Sequence, residues 1–324
     1  MSLLGPATAL DVRTAYRHCE QVTRQQAKNF SYGISLLPGD KRRALSAVYA
    51  YARRIDDIGD GTMPASEKLS QLKNERGSVS SLSEAVHGSD DSDVDHDPVL
   101  FALRDAATRF PIPVEAFGEL IDGCEADVRG TTYATFDELK YYCRCVAGSI
   151  GRLSLGVFGS SDQARADELA DALGLAMQLV NIIRDIKEDL GNGRVYLPAE
   201  DLERFDCTLE PSAGQDGGAS HGAGVMSGPL EELIRFEAER ARHWYSIGLT
   251  LLPMLDRRSR ACTGAMAGIY LRLLDHICAA PHEALDHRMS LPTSEKALVA
   301  ASALAGMTRR PRPAPATSRP GGES

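Results

Sequence analysis

The sequence predicts an all-α protein, a single-domain helical bundle folded around a central cavity. Apolar residues recur at three- and four-residue spacing along most of the 324 residues, and no alternating strand pattern runs longer than a few residues. No internal repeat is detectable, which favours one domain over a solenoid. Two of the helices carry matched polar stripes on otherwise apolar faces, and such stripes need an enclosed space to look into.

From Ala9 to Lys28 the pattern is helical and polar, and Asn29-Phe30-Ser31-Tyr32-Gly33 breaks it. Pro38, Gly39 and Asp40 are turn and N-cap residues. They open a helix from Lys41 to about Asp60, with Leu45, Val48, Ile55 and Ile58 on its apolar side. Residues 77–98 are rich in Ser and Asp and read as a solvated connection in which nothing fixes a metal-ligand geometry. Helical periodicity returns from Val99 to Phe110, from Val114 to Arg129, and from Phe136 to about Phe158. A helix from Gln163 to Leu190 follows. Residues 211–228, with a Gly-rich run at 214–224, read as a flexible loop.

Two long helices, about Leu230 to Leu255 and Ser259 to Ala279, complete the core. A short helix near Ser294 to Met307 leads into Arg309-Arg310-Pro311-Arg312-Pro313, a tail that Pro keeps disordered. The chain thus divides into an N-terminal extension (1–14), a body (15–280) and a C-terminal helix with its tail (281–324).

Composition narrows the function. At 43% hydrophobic residues the chain buries a substantial core, and a net charge of −9 argues against a general nucleic-acid binder. The cysteines, at 19, 124, 143, 145, 207, 262 and 278, are odd in number and lack metal-finger spacing, as expected of reduced thiols in a cytoplasmic protein. The N-terminus has no charged segment followed by an apolar run, and no window approaches the ~18 apolar residues of a membrane span. The expectation is a soluble protein, with the basic tail as the element able to touch the inner membrane face.

The chemistry lies in the stripes. Tyr49, Arg53, Asp56 and Asp60 fall at i, i+4, i+7 and i+11 on one helix; Gln178, Asn181, Asp185 and Asp189 fall at i, i+3, i+7 and i+11 on another. Carboxylate pairs from two helices facing each other across an apolar cavity repel, and buried carboxylates cost several kcal/mol unless paired or metal-bound. Hard divalent cations remove the conflict. All-oxygen ligands suit Mg²⁺, which binds through one or two carboxylates plus substrate phosphates. Arg53, Arg184 and Arg194 would neutralise phosphate oxygens. A diphosphate head with a hydrocarbon tail, an isoprenyl diphosphate, fits such a site.

At this point the residues resemble a known family. Arg53-Arg54-Ile55-Asp56-Asp57-Ile58-Gly59-Asp60, and Gln178-Leu-Val-Asn181-Ile-Ile-Arg184-Asp185-Ile-Lys-Glu188-Asp189 with Gly193-Arg194-Val195-Tyr196-Leu197-Pro198 after it, resemble the signature regions of squalene and phytoene synthases. Tyr142-Cys143-Arg144-Cys145-Val146-Ala147-Gly148-Ser149-Ile150-Gly151 resembles the helix between them.

Over residues 15–280 the resemblance implies an isoprenoid-synthase fold and Mg²⁺-dependent head-to-head condensation of two allylic diphosphates, with Mn²⁺ as an alternative ion. Carried over by position, Asp56, Asp60, Asp185 and Asp189 hold the metal. Tyr49, Arg53, Gln178, Asn181, Arg184, Arg194 and Tyr196 contact or shape the diphosphate sites, and Tyr142 steers the cation or its deprotonation. Gly148 and Gly151 also have a simpler explanation in close helix packing, since each interior Gly costs about 1 kcal/mol against Ala.

Where family members often carry Ser-x-Ser-Phe, this chain has Ala27-Lys28-Asn29-Phe30, and Asn29 is the donor left to serve there. The Asn-Phe variant, with Tyr32-Gly33 after it and Leu36-Leu37-Pro38 beyond, looks most like the bacterial presqualene diphosphate synthases of the hopanoid route. The expected reaction is therefore joining of two farnesyl diphosphates into presqualene diphosphate without NADPH, alongside downstream squalene-pathway enzymes. Phytoene synthase acting on geranylgeranyl diphosphate is the next expectation, then a reductive squalene synthase. A non-catalytic binding or assembly module should have lost members of the acidic set, and all four are present.

Overall fold

The computed structural model describes residues 11–27, 29–86, 97–211 and 225–307, and among them fourteen α-helices carry nearly all the regular structure. In order these are α1 (Val12–Gln26), α2 (Phe30–Ile34), α3 (Gly39–Asp60), α4 (Ala65–Val86), α5 (Pro98–Arg109), α6 (Ala116–Val128) and α7 (Phe136–Cys143). A single π-helical turn over Arg144–Gly148 joins α7 to α8 (Ser149–Phe158). Then come α9 (Gln163–Gly191), α10 (Ala199–Arg204), the strands β1 (Thr208–Glu210) and β2 (Val225–Ser227), and α11 (Leu230–Gly248). A 3₁₀ stretch over Leu249–Met254, α12 (Arg257–Ala279), α13 (Pro281–Asp286) and α14 (Thr293–Leu304) complete the chain.

Local chemistry sets many of these boundaries. Asp97 caps α5, accepting from the Val99 and Leu100 amides at 2.8 and 3.2 Å, with Pro98 in the first helical position. Asp162 caps α9, and Asp256 caps α12 while also holding Lys41 at 2.7 Å. Two residues beyond the end of α9, Gly193 has a φ of +78° that favours glycine and turns the chain sharply enough for the Arg194 amide to reach the Asp189 carbonyl at 2.8 Å.

Among the described residues, packing forms two large apolar clusters and a small third one around Ala265, Ala300 and Ala303. One large cluster gathers α1, α3, α5, α6 and α8 around Tyr51, Ile55, Phe117 and Leu153. The other gathers α7, α9, α11 and α12 around Leu179, Ile183, Tyr245 and Leu274. α3 belongs to the first and the C-terminal half of α9 to the second, so the seam between the clusters brings the two striped helices to one cavity.

The all-α expectation holds, with local differences. Residues 77–86 are the second half of α4 and not a connection. Leu72, Val79 and Leu82 form a narrow buried seam against the bundle, and that packing outweighs the weak helix propensity of the serines around it. From Phe30 the chain runs on as α2, where an interruption through Gly33 was expected. The continuous helix expected from Phe136 to Phe158 contains the π turn. A Cβ at Gly148 would meet the Asp171 carboxylate at 2.5 Å and one at Gly151 the Ala170 carbonyl at 3.1 Å, so packing accounts for both glycines.

α10, α13 and the antiparallel pair β1–β2 had no periodic signal long enough to predict them. The Gly-rich run at 214–224, residues 87–96 of the acidic connection, the tail from Arg309 and most of the N-terminal extension lie outside the described residues. All seven cysteines are unpaired. Among the described residues no helix is long and apolar enough to cross a membrane.

Candidate active site

Between α3 and α9 lies a cavity of about 260 Å³. Tyr49, Arg53 and Asp56 enter it from α3, and Gln178 and Asn181 from α9, with Tyr270 of α12 beside them. The remaining wall is apolar and includes Phe30, Val48, Ile150, Leu155, Phe158, Leu173, Met177, Leu251 and Met266. Asn181 donates its amide to the Gln178 side-chain oxygen at 3.1 Å. Three polar atoms of the lining, Arg53 Nε, Asn181 Oδ1 and Thr263 Oγ1, are buried without a hydrogen-bond partner. Buried polar groups are normally paired, so a cavity with orphaned donors and acceptors at one end and hydrocarbon at the other fits an amphiphilic ligand with a polar head.

The outer halves of both stripes lie beyond this cavity. Asp60, in the last turn of α3, accepts from Arg194 at 3.0 Å. Asp185 is gripped by Arg184 of its own helix, with Nε at 2.8 Å, and by Arg288 from the segment after α13 at 3.1 Å. Arg288 also reaches Glu188 at 3.1 Å, and Arg53 pairs with Asp57. Asp189 lies with Arg194 and Tyr196 around a second, small crevice. Arg184 is 8% exposed, and Asp185 with Tyr270 stabilises its charge against burial.

Among the described residues Asp56 and Asp189 have no such ion-pair partner, and their acidity reflects it. Loss of water pushes the Asp56 carboxyl up to about 7, with Asp60 and Asp57 adding repulsion that Arg53 only partly offsets. The Cys124 thiol lies 3.8 Å from Asp56. Burial likewise pushes Asp189 up to about 7, with Asp185 repelling it and Arg194 opposing. Under-compensated carboxylates on two facing helices are a donor set that fits a hard cation. Among the described residues no three of His, Cys, Asp and Glu stand close enough to hold one metal ion by themselves. An ion here would take its remaining ligands from water or from substrate phosphate.

Tyr142 and Tyr196 are not in the cavity wall. Both phenols donate to Asp127 on α6, at 2.9 and 2.8 Å. Asn29 precedes α2 and is also absent from the wall, where its neighbour Phe30 takes part. Sequence reasoning missed Asp127 and Arg288. Asp127 left one detectable signal: it continues the inward face of α6 three residues after Cys124, an acid on an apolar stripe. Arg288 left none, since it reaches Asp185 from a segment without periodicity.

With this geometry in hand, a family model for squalene/phytoene synthase matches residues 23–295. The chain belongs to the squalene/phytoene synthase family. Its members are prenyltransferase-type enzymes that condense isoprenyl diphosphates head to head. The phytoene synthases of Mycobacterium bovis and Mycobacterium tuberculosis are each 47% identical to it over 315 residues, covering 96% of this chain and 99% of the relative. The 15-cis-phytoene synthase of Synechocystis is 35% identical over 298 residues, covering 89% of this chain and 83% of the relative.

Among solved structures, a ligand-bound dehydrosqualene synthase superposes with a TM-score of 0.75 at 25% identity over 91% of this chain and 97% of its own. A squalene synthase from Alicyclobacillus acidocaldarius superposes with a TM-score of 0.68 at 28% identity, covering 85% and 95%. The fold is thereby that of the isoprenoid synthases.

Proposed function

We propose that this protein joins two geranylgeranyl diphosphates head to head into phytoene, with Mg²⁺ bound through Asp56, Asp60, Asp185 and Asp189. One observation carries the choice of substrate. Identity to two phytoene synthases reaches 47% across nearly the whole of both chains, against 25 and 28% to the dehydrosqualene and squalene synthases. The presqualene diphosphate expectation rested on the Asn29-Phe30 variant with Tyr32-Gly33 and Leu36-Leu37-Pro38 after it, and of these residues Phe30 alone lines the cavity.

Mg²⁺, when bound, supplies charge neutralisation to the leaving diphosphate. The rest falls to the chain's own residues. Arg53, through its free Nε, and Asn181 orient the head group at the polar end, with Arg184 and Arg194 adding positive charge beyond it. The apolar walls hold the hydrocarbon of the allylic cation against the double bond of the second substrate and exclude water that would quench it. Attack forms the new carbon–carbon bond, and a proton leaves as a cyclopropane closes. Loss of the second diphosphate, rearrangement and a second proton loss give the hydrocarbon. Two diphosphates and two protons leave in all, so the reaction balances without a hydride donor.

The test is incubation of the purified protein with Mg²⁺ and either geranylgeranyl or farnesyl diphosphate, with and without NADPH, followed by product identification. Phytoene, formed without NADPH and with the higher kcat/KM for geranylgeranyl diphosphate, is expected. Exclusive conversion of farnesyl diphosphate to presqualene diphosphate or squalene would return the assignment to the shorter substrate.

A further inference from the structure

Asp127 ties three separate stretches of the chain together. It stands on α6, its Oδ2 accepts from Tyr142 of α7, and its Oδ1 accepts from Tyr196 in the segment that leaves α9. The two phenol rings stack with centroids 5.2 Å apart, and Tyr133 closes against them at 5.3 and 6.5 Å. Tyr142 is 5% and Tyr196 8% exposed, so the arrangement is a sealed knot and not a surface contact. A carboxylate with a phenol hydrogen on each oxygen makes two charge-assisted bonds, stronger and more directional than neutral ones.

Two residues before Tyr196, Arg194 crosses to α3 and donates to Asp60 at 3.0 Å. The approach of this segment is fixed on one side by the Gly193 turn and the Arg194 amide on the Asp189 carbonyl. On the other side it is fixed by the Tyr196 phenol on Asp127. Burial raises the pKa of Asp127, and Arg194 followed by the two phenols draws it back down. The carboxylate and the guanidinium therefore sense each other although the tyrosines lie between their contacts.

We propose that Asp127 is a positioning residue: by holding the Tyr142 and Tyr196 phenols on its two oxygens it fixes the Gly193–Tyr196 segment so that Arg194 is poised between Asp60 and Asp189 to receive a diphosphate oxygen. This rests on the reading of the site as a diphosphate site. A carboxylate suits the task because both of its oxygens accept. An amide at this position keeps one accepting oxygen and presents an N–H to the other phenol, which must turn its own hydrogen away and accept, so that end of the knot loses its charge-assisted bond.

Calorimetric titration with inorganic diphosphate in the presence of Mg²⁺ tests this on the full chain, using the wild type, Asp127→Asn, Arg194→Gln and the double variant. Asp127→Asn is expected to weaken diphosphate binding about tenfold, the effect of losing one hydrogen bond to a charged group. Arg194→Gln weakens it at least as much, and the double variant binds no more weakly than Arg194→Gln alone, because Asp127 acts through Arg194. Tyr196→Phe removes one partner and gives a smaller loss in the same direction, and thermal melts confirm that each variant is folded. Additive losses in the double variant, or an Asp127→Asn protein that melts lower while binding diphosphate as tightly as the wild type, would overturn the proposal. If the wild type itself takes up no diphosphate, the underlying reading of the site fails and this inference falls with it.

Discussion

Arg194 donates to Asp60 at 3.0 Å, joining the segment that leaves α9 to the last turn of α3. A guanidinium thus stands between the ends of the two acidic stripes before any ligand arrives, ion-paired to Asp60 and opposing the protonation of Asp189. The ion pair has a chemical cost on removal. Asp60 would lose its partner, and the nearby Asp189 would lose the positive charge that opposes its protonation.

Arg194→Gln is expected to lower kcat/KM by about two to three orders of magnitude, the usual loss for one preorganised donor at a developing charge. Arg194→Lys keeps the charge but not the planar fork and recovers only part of the loss. Steady-state kinetics on the two variants decide this. A lysine variant equal to wild type would mean that charge alone suffices.

Asp56→Asn and Asp185→Asn are each expected to cut turnover by orders of magnitude while leaving helicity intact, because each removes a proposed metal ligand without removing volume. The free protein offers a separate readout. Burial pushes Asp56 and Asp189 up to about 7, and a divalent cation binds their ionised forms. Mg²⁺ added to weakly buffered protein at pH 7 should release protons, and at pH 9 it should release almost none. Near-wild-type rates in either variant, or no proton release at pH 7, would sink the role of the carboxylates as metal ligands.

The length of the substrate tail should be set at the apolar end of the cavity. Leu45 lines that end and Asp56 the other, and eleven residues of α3 separate them, about 16 Å at helical rise. Ser154 of α8 lines the cavity and turns its hydroxyl back onto the Ile150 carbonyl at 2.7 Å, leaving room at its level. Ser154→Phe should lower kcat/KM for geranylgeranyl diphosphate at least tenfold while sparing farnesyl diphosphate, an overpacking effect confined to the longer chain. Equal losses on both substrates would place the floor elsewhere.

A buried acid away from the site should shape the pH dependence of stability. Glu237 is fully buried on α11, and Arg240 bonds it at 2.8 Å and Asp201 at 2.6 Å. Desolvation lifts Glu237 from 4.5 to about 8; Arg240 opposes the rise and Asp201 adds to it. Its folded-state pKa is raised, so between pH 4.5 and 8 the native state keeps a proton that the unfolded chain releases. The associated stability is present at low pH and is lost as pH climbs through that window. The melting temperature of the wild type should therefore fall more steeply from pH 5 to pH 8 than that of Glu237→Gln. A wild type that gains on the variant with rising pH would reverse the sign.

Much of this was legible because it is local. The stripes on α3 and α9 follow from spacing within single helices, and long periodic helices such as α9 and α12 announce themselves over many turns. Other features depend on what lies opposite. The second half of α4 holds because Val79 and Leu82 find a surface to bury against, which its serine-rich sequence does not disclose. The π turn at Arg144–Gly148 sits where Gly148 lets α9 approach closely enough for Asp171 to fill the space of a side chain.

The site divides the same way. Tyr49, Arg53, Asp56, Gln178 and Asn181 were placed together by periodicity and share one cavity. Tyr142 and Tyr196 were singled out by resemblance, but their common partner Asp127 was not, because hydrogen bonds spanning 15 and 69 residues leave no trace in spacing. Arg288 closes on Asp185 from 103 residues away for the same reason. What separates the two groups is whether the contact is made along a helix or across the bundle.

On the proposed function, α3 and α9 together form one diphosphate site with Mg²⁺ between them. A crystal structure of the protein with Mg²⁺ and a non-ionising thio analogue of geranylgeranyl diphosphate tests it most directly. The diphosphate is expected between the two helices, with metal on Asp56, Asp60, Asp185 and Asp189, Arg194 on a phosphate oxygen, and the hydrocarbon chain running along Val48, Ile150 and Leu173 toward Phe158. A diphosphate bound away from α3 and α9, or held there with no metal on any of the four carboxylates, would contradict it.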